Sequence, residues 1–252
     1  IGNPLIADLD RIGVNDWAVM ELSSFQLEIM TASPHIAAVL NITPNHLDRH
    51  GTMETYTAAK RAIVAYQGLA DYAVLGFDDA HARAMAAETQ ARVLFFSAEA
   101  QVAEGACRAG EELLLQRDGA SMPVCRVGEV QLRGPHNLLN ILAACAICAV
   151  AGVPAEAMRE VARTFSGVEH RLEWVRDYRG ARWYDDSIAT APERVVAALR
   201  SFEEPIVLLA GGRDKKLPWD DFAAEAVARV RRLITFGESG DMIAQAVAAQ
   251  QK

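Results

Sequence analysis

Apolar runs of strand length alternate with segments whose apolar residues recur at helical spacing. Trp17–Leu22 and Ile36–Ile42 read as buried strands, and Met53–Tyr66 as a helix with Thr52 as its N-cap. Tyr72–Phe77 then reads as a strand, Asp79–Glu88 as a helix and Val93–Ser97 as a strand. Such alternation predicts a mostly parallel sheet with helices packed on it. Glu112–Val127 breaks the pattern: two strand-like halves flank Arg117-Asp118-Gly119, a hairpin turn. Helices are expected at Asn137–Ala151 and Ala155–Thr164, divided by the stop-and-restart signal Gly152-Val153-Pro154.

Ser166-Gly167-Val168 reads as a domain boundary, giving domains of residues 1–167 and 168–252. Beyond it, Glu173–Tyr178 and Ala181–Asp185 form a predicted hairpin across Arg179-Gly180. Helix Pro192–Arg200, strand Pro205–Ala210, helix Phe222–Arg231 and strand Leu233–Phe236 then begin a second, doubly wound α/β unit. The opening Ile1-Gly2-Asn3-Pro4-Leu5 reads as mid-protein sequence, and Asp241–Lys252 as a helix cut short.

Composition narrows the function classes. With 51% hydrophobic and 23% charged residues, the chain can bury a core without disulfides or metal staples. Asp and Glu number 33 against 25 Lys and Arg, a net charge of −8, which argues against nucleic acid or an anionic membrane as a general partner. No apolar run reaches membrane-spanning length. Cys145 and Cys148 form a C-x-x-C, but within the Ala-rich apolar stretch Asn140–Val150 they read as small core residues in a reducing cytosol.

Chemistry-bearing residues gather after the predicted strands, where parallel α/β sheets collect their ligands. Glu21, in Glu21-Leu22-Ser23-Ser24-Phe25-Gln26-Leu27, suits a cation and equally a helix cap or a salt bridge. The loop Asn41–Gly51 carries His46, Asp48 and His50, a donor set for a divalent cation without structural-zinc spacing; one histidine can instead cap the next helix. Lys60 lies in an apolar-periodic helix, where it either snorkels to water or, desolvated, presents a neutral amine. His136, Asn137 and Asn140 open a helix after Gly134-Pro135, as caps or as readers of an adenine edge. Three further segments stand out: Glu169-His170-Arg171, Asp185-Asp186-Ser187 and Gly211-Gly212-Arg213-Asp214-Lys215-Lys216. None is a G-x-x-x-x-G-K-[ST] phosphate loop, and no such motif occurs in the chain.

Singly these signals are weak, but in order they are specific. Glu-Leu-Ser-Ser-Phe-Gln-Leu, Asn-Ile-Thr-Pro-Asn-His-Leu-Asp-Arg-His, Ala-Ala-Lys, Gly-Pro-His-Asn-Leu-Leu-Asn, Glu-His-Arg-Leu-Glu, Asp-Asp-Ser-Ile-Ala-Thr and Gly-Gly-Arg-Asp-Lys together resemble the Mur ligase family. The first of these most resembles the family's D-glutamate-adding branch. The resemblance implies a central ATP-binding domain followed by a partial Rossmann-like C-terminal domain, a phosphate loop upstream of Ile1, and bacterial cytoplasmic peptidoglycan synthesis by a monomer. It implies an acyl-phosphate route joining D-glutamate to UDP-N-acetylmuramoyl-L-alanine, with two Mg2+ ions and ATP, the two domains closing on the nucleotide.

By resemblance, Glu21 holds the first magnesium, His46 helps bind the second, and Lys60, carbamylated by carbon dioxide, becomes an oxygen ligand of that second metal. His136, Asn137 and Asn140 lie near the nucleotide, Asn140 closest to the adenine, with Arg171 at the phosphates and Asp186 at the ribose. Lys215 binds the carboxylate of the incoming amino acid with Thr190 as helper, and Asn3 lies near the UDP-sugar. Ile188 departs from the pattern, standing where many such ligases carry lysine. The sister ligases MurC, MurE and MurF, folylpolyglutamate synthase, and a non-catalytic nucleotide-binding module are the competing readings.

Overall fold

A computed structural model describes residues 5–213 and 217–251, and its architecture is α/β. The chain divides into two compact units, Ile1–Phe95 and Phe96–Lys252.

In the first unit, a single turn α1 (Ser24–Leu27) precedes β1 (Ile36–Val39), and a second turn α2 (Leu47–His50) precedes α3 (Met53–Ala65). Next come β2 (Tyr72–Gly76), α4 (Ala80–Ala84, prolonged by a tighter turn Met85–Glu88) and β3 (Arg92–Ser97), on whose length the unit ends. β1 and β2 pair in parallel, Ile36 beside Tyr72 through Val39 beside Leu75. A parallel pair needs a crossover, and α3 supplies it. Thr52 caps α3 as the sequence implies, its side chain accepting from the Thr55 N–H. Ala37, Val39, Ala73 and Leu75 meet Tyr56 and Val64 of α3 to form the core, closed by Ala82 and Met85. Gln67 is a buried polar residue with full employment: its amide donates to Pro34 and Tyr72 carbonyls and accepts from Thr89.

One expected strand does not form. Trp17–Leu22 has no regular secondary structure, and Val19 is 95% exposed. Its apolar pattern is that of a strand, yet a strand exists only where a neighbour takes its N–H and C=O groups. No strand pairs with it among the described residues.

In the second unit, β4 (Gly105–Ala109), β5 (Glu112–Arg117) and β6 (Ala120–Arg126) form an antiparallel meander. Asp118 and Gly119 both adopt positive φ, 52° and 77°, the two-residue geometry that follows strand twist. β4 was not evident in the sequence because Gly-Ala-Cys-Arg-Ala has little strand preference; burial of Ala106 and Cys107 beneath α5 (Pro135–Val150) decides it. α6 (Ala155–Thr164) follows as expected. Cys145 is buried on α5, and that burial pushes its thiol up to about 12, so it is inert as a nucleophile.

The hairpin β7 (Glu173–Tyr178) and β8 (Ala181–Asp185) turns at Arg179 and Gly180, φ 50° and 78°. α7 (Pro192–Leu199), β9 (Ile206–Gly211), α8 (Asp220–Arg229), β10 (Val230–Phe236) and α9 (Gly240–Gln250) complete the chain, with β9 and β10 parallel. Val196, Phe222, Ala223, Ala226, Ile243 and Val247 form their core. Among the described residues no helix is long and apolar enough to cross a membrane.

Candidate functional site

The first cluster belongs to the first unit. Glu21 is exposed, just before the turn α1. It is not the cap of α1: Ser23 is, in a reciprocal capping box with Gln26. That box aims α1 so that Ser24 and Leu27 are buried. Beyond β1 the backbone of His46 is left-handed, φ 53°, and its carbonyl starts α2 by accepting the Arg49 and His50 N–H groups. Asn45 stabilises this strained position by accepting the His46 N–H at 3.0 Å. His46 therefore starts the helix with its backbone, and its side chain, which makes no cap hydrogen bond, is left for other work.

Lys60 lies two turns into α3 and is half-buried. Burial holds its amine below the usual lysine range, and the negative charge of Glu21 opposes that shift. Glu21 and Lys60, far apart in sequence, are thus electrostatic neighbours. One turn before Lys60, the Thr57 hydroxyl is buried without a hydrogen-bond partner. The carboxylate of Glu21, the imidazole of His46 and, if converted to an oxygen donor, the amine of Lys60 are donor types that suit a divalent cation.

The second cluster belongs to the second unit. α5 starts at Gly134, φ 91°, with Pro135 at its first position. A β-carbon at residue 134 would lie 2.2 Å from the Ser201 hydroxyl and 2.9 Å from the His136 ring, so only glycine leaves that ring where it stands. Asn137 donates to the Arg133 carbonyl at 2.7 Å and accepts from Asn140 at 3.2 Å. Neither asparagine caps the helix. Burial foremost, then the charge of Arg171, hold His136 below the ordinary imidazole range. The same Arg171 draws down Asp186, whose carboxyl is nevertheless raised by its burial. Arg171 is thus within electrostatic reach of both His136 and Asp186.

Two left-handed residues, His170 (φ 64°) and Leu172 (φ 45°), flank Arg171. The loop is tied to the segment after β8: Leu172 N–H donates to Asp186 at 3.0 Å, and Ile188 N–H to the His170 carbonyl at 3.2 Å. His170 Nδ1 lies 2.8 Å from Asp185, and Glu173 accepts the His170 N–H. The sequence singled out these segments but not the His170–Asp185 contact. Nor did it reveal Arg133, which pairs with both oxygens of Glu204 and lies over the rings of Tyr184 and Phe202. Thr190 and Ile188 are exposed; Asn3 and Lys215 lie outside the described residues.

The His170–Asp185 pair gives a pH prediction. The hydrogen bond and charge of Asp185 raise the His170 pKa, and the same bond lowers that of Asp185. The His170 contribution is present below the unfolded value of about 6.5 and is lost as pH rises through the folded one. The Asp185 contribution is present above its unfolded value and is lost as pH falls through the folded one. Asp185→Asn should return the His170 midpoint, followed by NMR, to the ordinary range. An unchanged midpoint would show that the bond is not formed in solution.

Residues 5–148 match the family model for the Mur ligase middle domain, and residues 170–252 match the Mur ligase, glutamate ligase domain. The chain belongs to the Mur ligase family.

Three curated relatives of this Mur ligase chain carry the name UDP-N-acetylmuramoylalanine–D-glutamate ligase. That of Symbiobacterium thermophilum is 46% identical over 98% of the chain and 55% of its own length. Those of Pelotomaculum thermopropionicum (43%, 99% and 55%) and Clostridium kluyveri (42%, 98% and 53%) are similar. The chain spans about half the length of the curated relatives it matches. Among solved structures, MurF of Acinetobacter baumannii superposes with a TM-score of 0.68 at 18% identity, over 91% of this chain and 52% of that one. MurC of Thermotoga maritima gives 0.62 at 19%, over 91% and 51%. At that identity these two structures speak for the fold.

Proposed function

We propose that the chain is part of an ATP-dependent ligase that joins D-glutamate to UDP-N-acetylmuramoyl-L-alanine, as in the MurD reaction of peptidoglycan precursor synthesis in the bacterial cytoplasm. The observation that carries this reading is the half-buried Lys60 within electrostatic reach of Glu21, on the motifs that resemble this branch. The names of the curated relatives support the choice of amino acid. Residues 1–167 act as the central domain and 168–252 as the C-terminal domain of an enzyme that works as a monomer.

A carboxylate is a poor acyl donor, so ATP must activate it. The substrate carboxylate attacks the γ-phosphorus and ADP leaves, giving an acyl phosphate. The free amine of D-glutamate attacks that carbonyl, phosphate leaves, and the nitrogen loses a proton to become the amide. Glu21 and His46 would hold the two Mg2+ ions, which when bound would neutralise charge on the transferring phosphoryl group. Lys60 joins them after its neutral amine adds to carbon dioxide and loses a proton, becoming a carbamate with two oxygen donors. Asn140, Asn137 and His136 orient the adenine, Arg171 the phosphates and Asp186 the ribose. Asn3 contacts the UDP-sugar, and Lys215 with Thr190 takes the D-glutamate carboxylate. Ile188 offers no charge, so that duty is absent or falls to Lys215, Lys216 or Arg213.

The test is phosphate release by the protein at its full encoded length, given ATP, Mg2+, D-glutamate and UDP-N-acetylmuramoyl-L-alanine. Turnover should need both substrates. Lys215→Ala should raise the KM for D-glutamate and leave that for ATP close to wild type. Turnover with another amino acid in place of D-glutamate would assign the chain to a sister ligase. Nucleotide binding without turnover would favour a non-catalytic module.

A further inference from the structure

His50 is a buried imidazole that no step above employs. It is 7% exposed, and its Nε2 lies 3.0 Å from the hydroxyl of Ser24, itself 3% exposed. Its ring stacks on Phe25, centroids 5.6 Å apart and planes inclined by 19°, and leans on Tyr56 at 5.2 Å. Between them these contacts lead to the three segments that carry the proposed metal ligands. Ser24 and Phe25 follow Glu21 through the capped turn α1. The Phe25 ring also meets the His46 ring at 5.2 Å. Tyr56 precedes Lys60 by one helical turn, and the Lys60 amine lies 5.2 Å from the centre of its ring.

A core histidine whose only office is to fill space would be replaceable by phenylalanine. His50 carries more: burying an imidazole costs free energy that one directional hydrogen bond must offset, and that bond fixes α1 against α2. Apolar contacts alone tolerate small rotations of such short turns, whereas a hydrogen bond between two buried groups sets both distance and angle. The ligand-bearing segments meet at this one ring.

We propose that His50 is a positioning residue for the metal and ATP site, holding the Glu21, His46 and Lys60 segments in register through its bond to Ser24 and its rings Phe25 and Tyr56. This inference rests on the ligase reading given above. It concerns geometry and makes no use of His50 protonation.

The experiment compares the wild type at full encoded length with His50→Phe, which keeps the ring and loses the bond, and with Ser24→Ala, which removes the partner alone. The double variant closes a mutant cycle. Two readouts are independent of turnover: the carbamate carbon signal of Lys60 after exposure to 13C-labelled bicarbonate, and Mn2+ binding followed by electron paramagnetic resonance. Both single variants should lose most of the carbamate signal and bind Mn2+ about tenfold more weakly. The double variant should be no worse than either, and His50→Gln, which keeps a hydrogen-bonding group, should recover part of the loss. The KM for D-glutamate should stay at the wild-type value. Wild-type carbamate and Mn2+ binding in Ser24→Ala would overturn the proposal even if His50→Phe failed to fold. A wild type lacking both signals would overturn the ligase reading itself, and the positioning role with it.

Discussion

Lys60→Ala should abolish ligation while leaving the fold intact. The substitution removes a half-buried amine that burial holds below the usual lysine range, so the helix loses no favourable solvated charge. Alanine is also the better helix former, and α3 keeps its Thr52 cap. On the proposed mechanism the loss is chemical: only a neutral amine adds carbon dioxide, and the carbamate would offer oxygen ligands at this point of α3. Losing a preorganised ligand that stabilises phosphoryl charge costs a few kcal/mol, roughly a hundredfold or more in rate. Lys60→Arg is the discriminating control. It keeps positive charge and length but cannot form the carbamate, so it should be as inactive as alanine. Short carboxylates or bicarbonate should restore part of the activity of Lys60→Ala by supplying the missing oxygens, and should do nothing for Lys60→Arg, whose side chain fills the space. Phosphate release, read beside thermal unfolding, decides it. A fully active Lys60→Ala enzyme would remove the carbamate from the mechanism.

The difference between what the sequence disclosed and what it hid follows from the range of the interactions concerned. The hairpin of β7 and β8 was readable to the residue because Arg179-Gly180 makes its turn locally. α6 was readable because Gly152-Val153-Pro154 both stops one helix and starts the next. Trp17–Leu22 has a strand's pattern and no ladder, since pattern records which face is apolar and says nothing of who takes the hydrogen bonds. β4 is the converse, a strand made by burial and by pairing with β5 against weak local preference. At the site, each motif was visible and the convergence was not. Nothing in the spacing of Glu21 and Lys60 says that one feels the charge of the other, or that Arg171 reaches both His136 and Asp186. The two histidines of one loop look equivalent in sequence; His46 is exposed and His50 is enclosed by Ser24, Phe25 and Tyr56. The folded chain separates an exposed imidazole from an enclosed one, which the sequence could not do.

Glu21→Gln should produce two effects of opposite sign at one site. The amide nearly matches the carboxylate in size and removes only its charge. As a metal ligand it is the poorer donor, so the Mg2+ requirement should rise and turnover fall, by roughly a hundredfold at the usual Mg2+ concentration. The effect on Lys60 runs the other way. A neighbouring anion stabilises the ammonium, and the charge of Glu21 is what pulls the Lys60 pKa back toward the ordinary value against burial. Without that charge the Lys60 pKa falls further, and at a given pH more of the amine is neutral. In the absence of metal, Lys60 of Glu21→Gln should therefore react with a small acylating reagent at lower pH than wild type, as followed by mass spectrometry of the peptide that contains it. A generally loosened structure would instead expose the lysine and move its labelling midpoint up, toward that of a free side chain. A less active variant whose midpoint moves down is thus the signature of a charge removed from an intact site. A midpoint that moves up, or wild-type turnover at low Mg2+, would take Glu21 out of the metal site and away from Lys60.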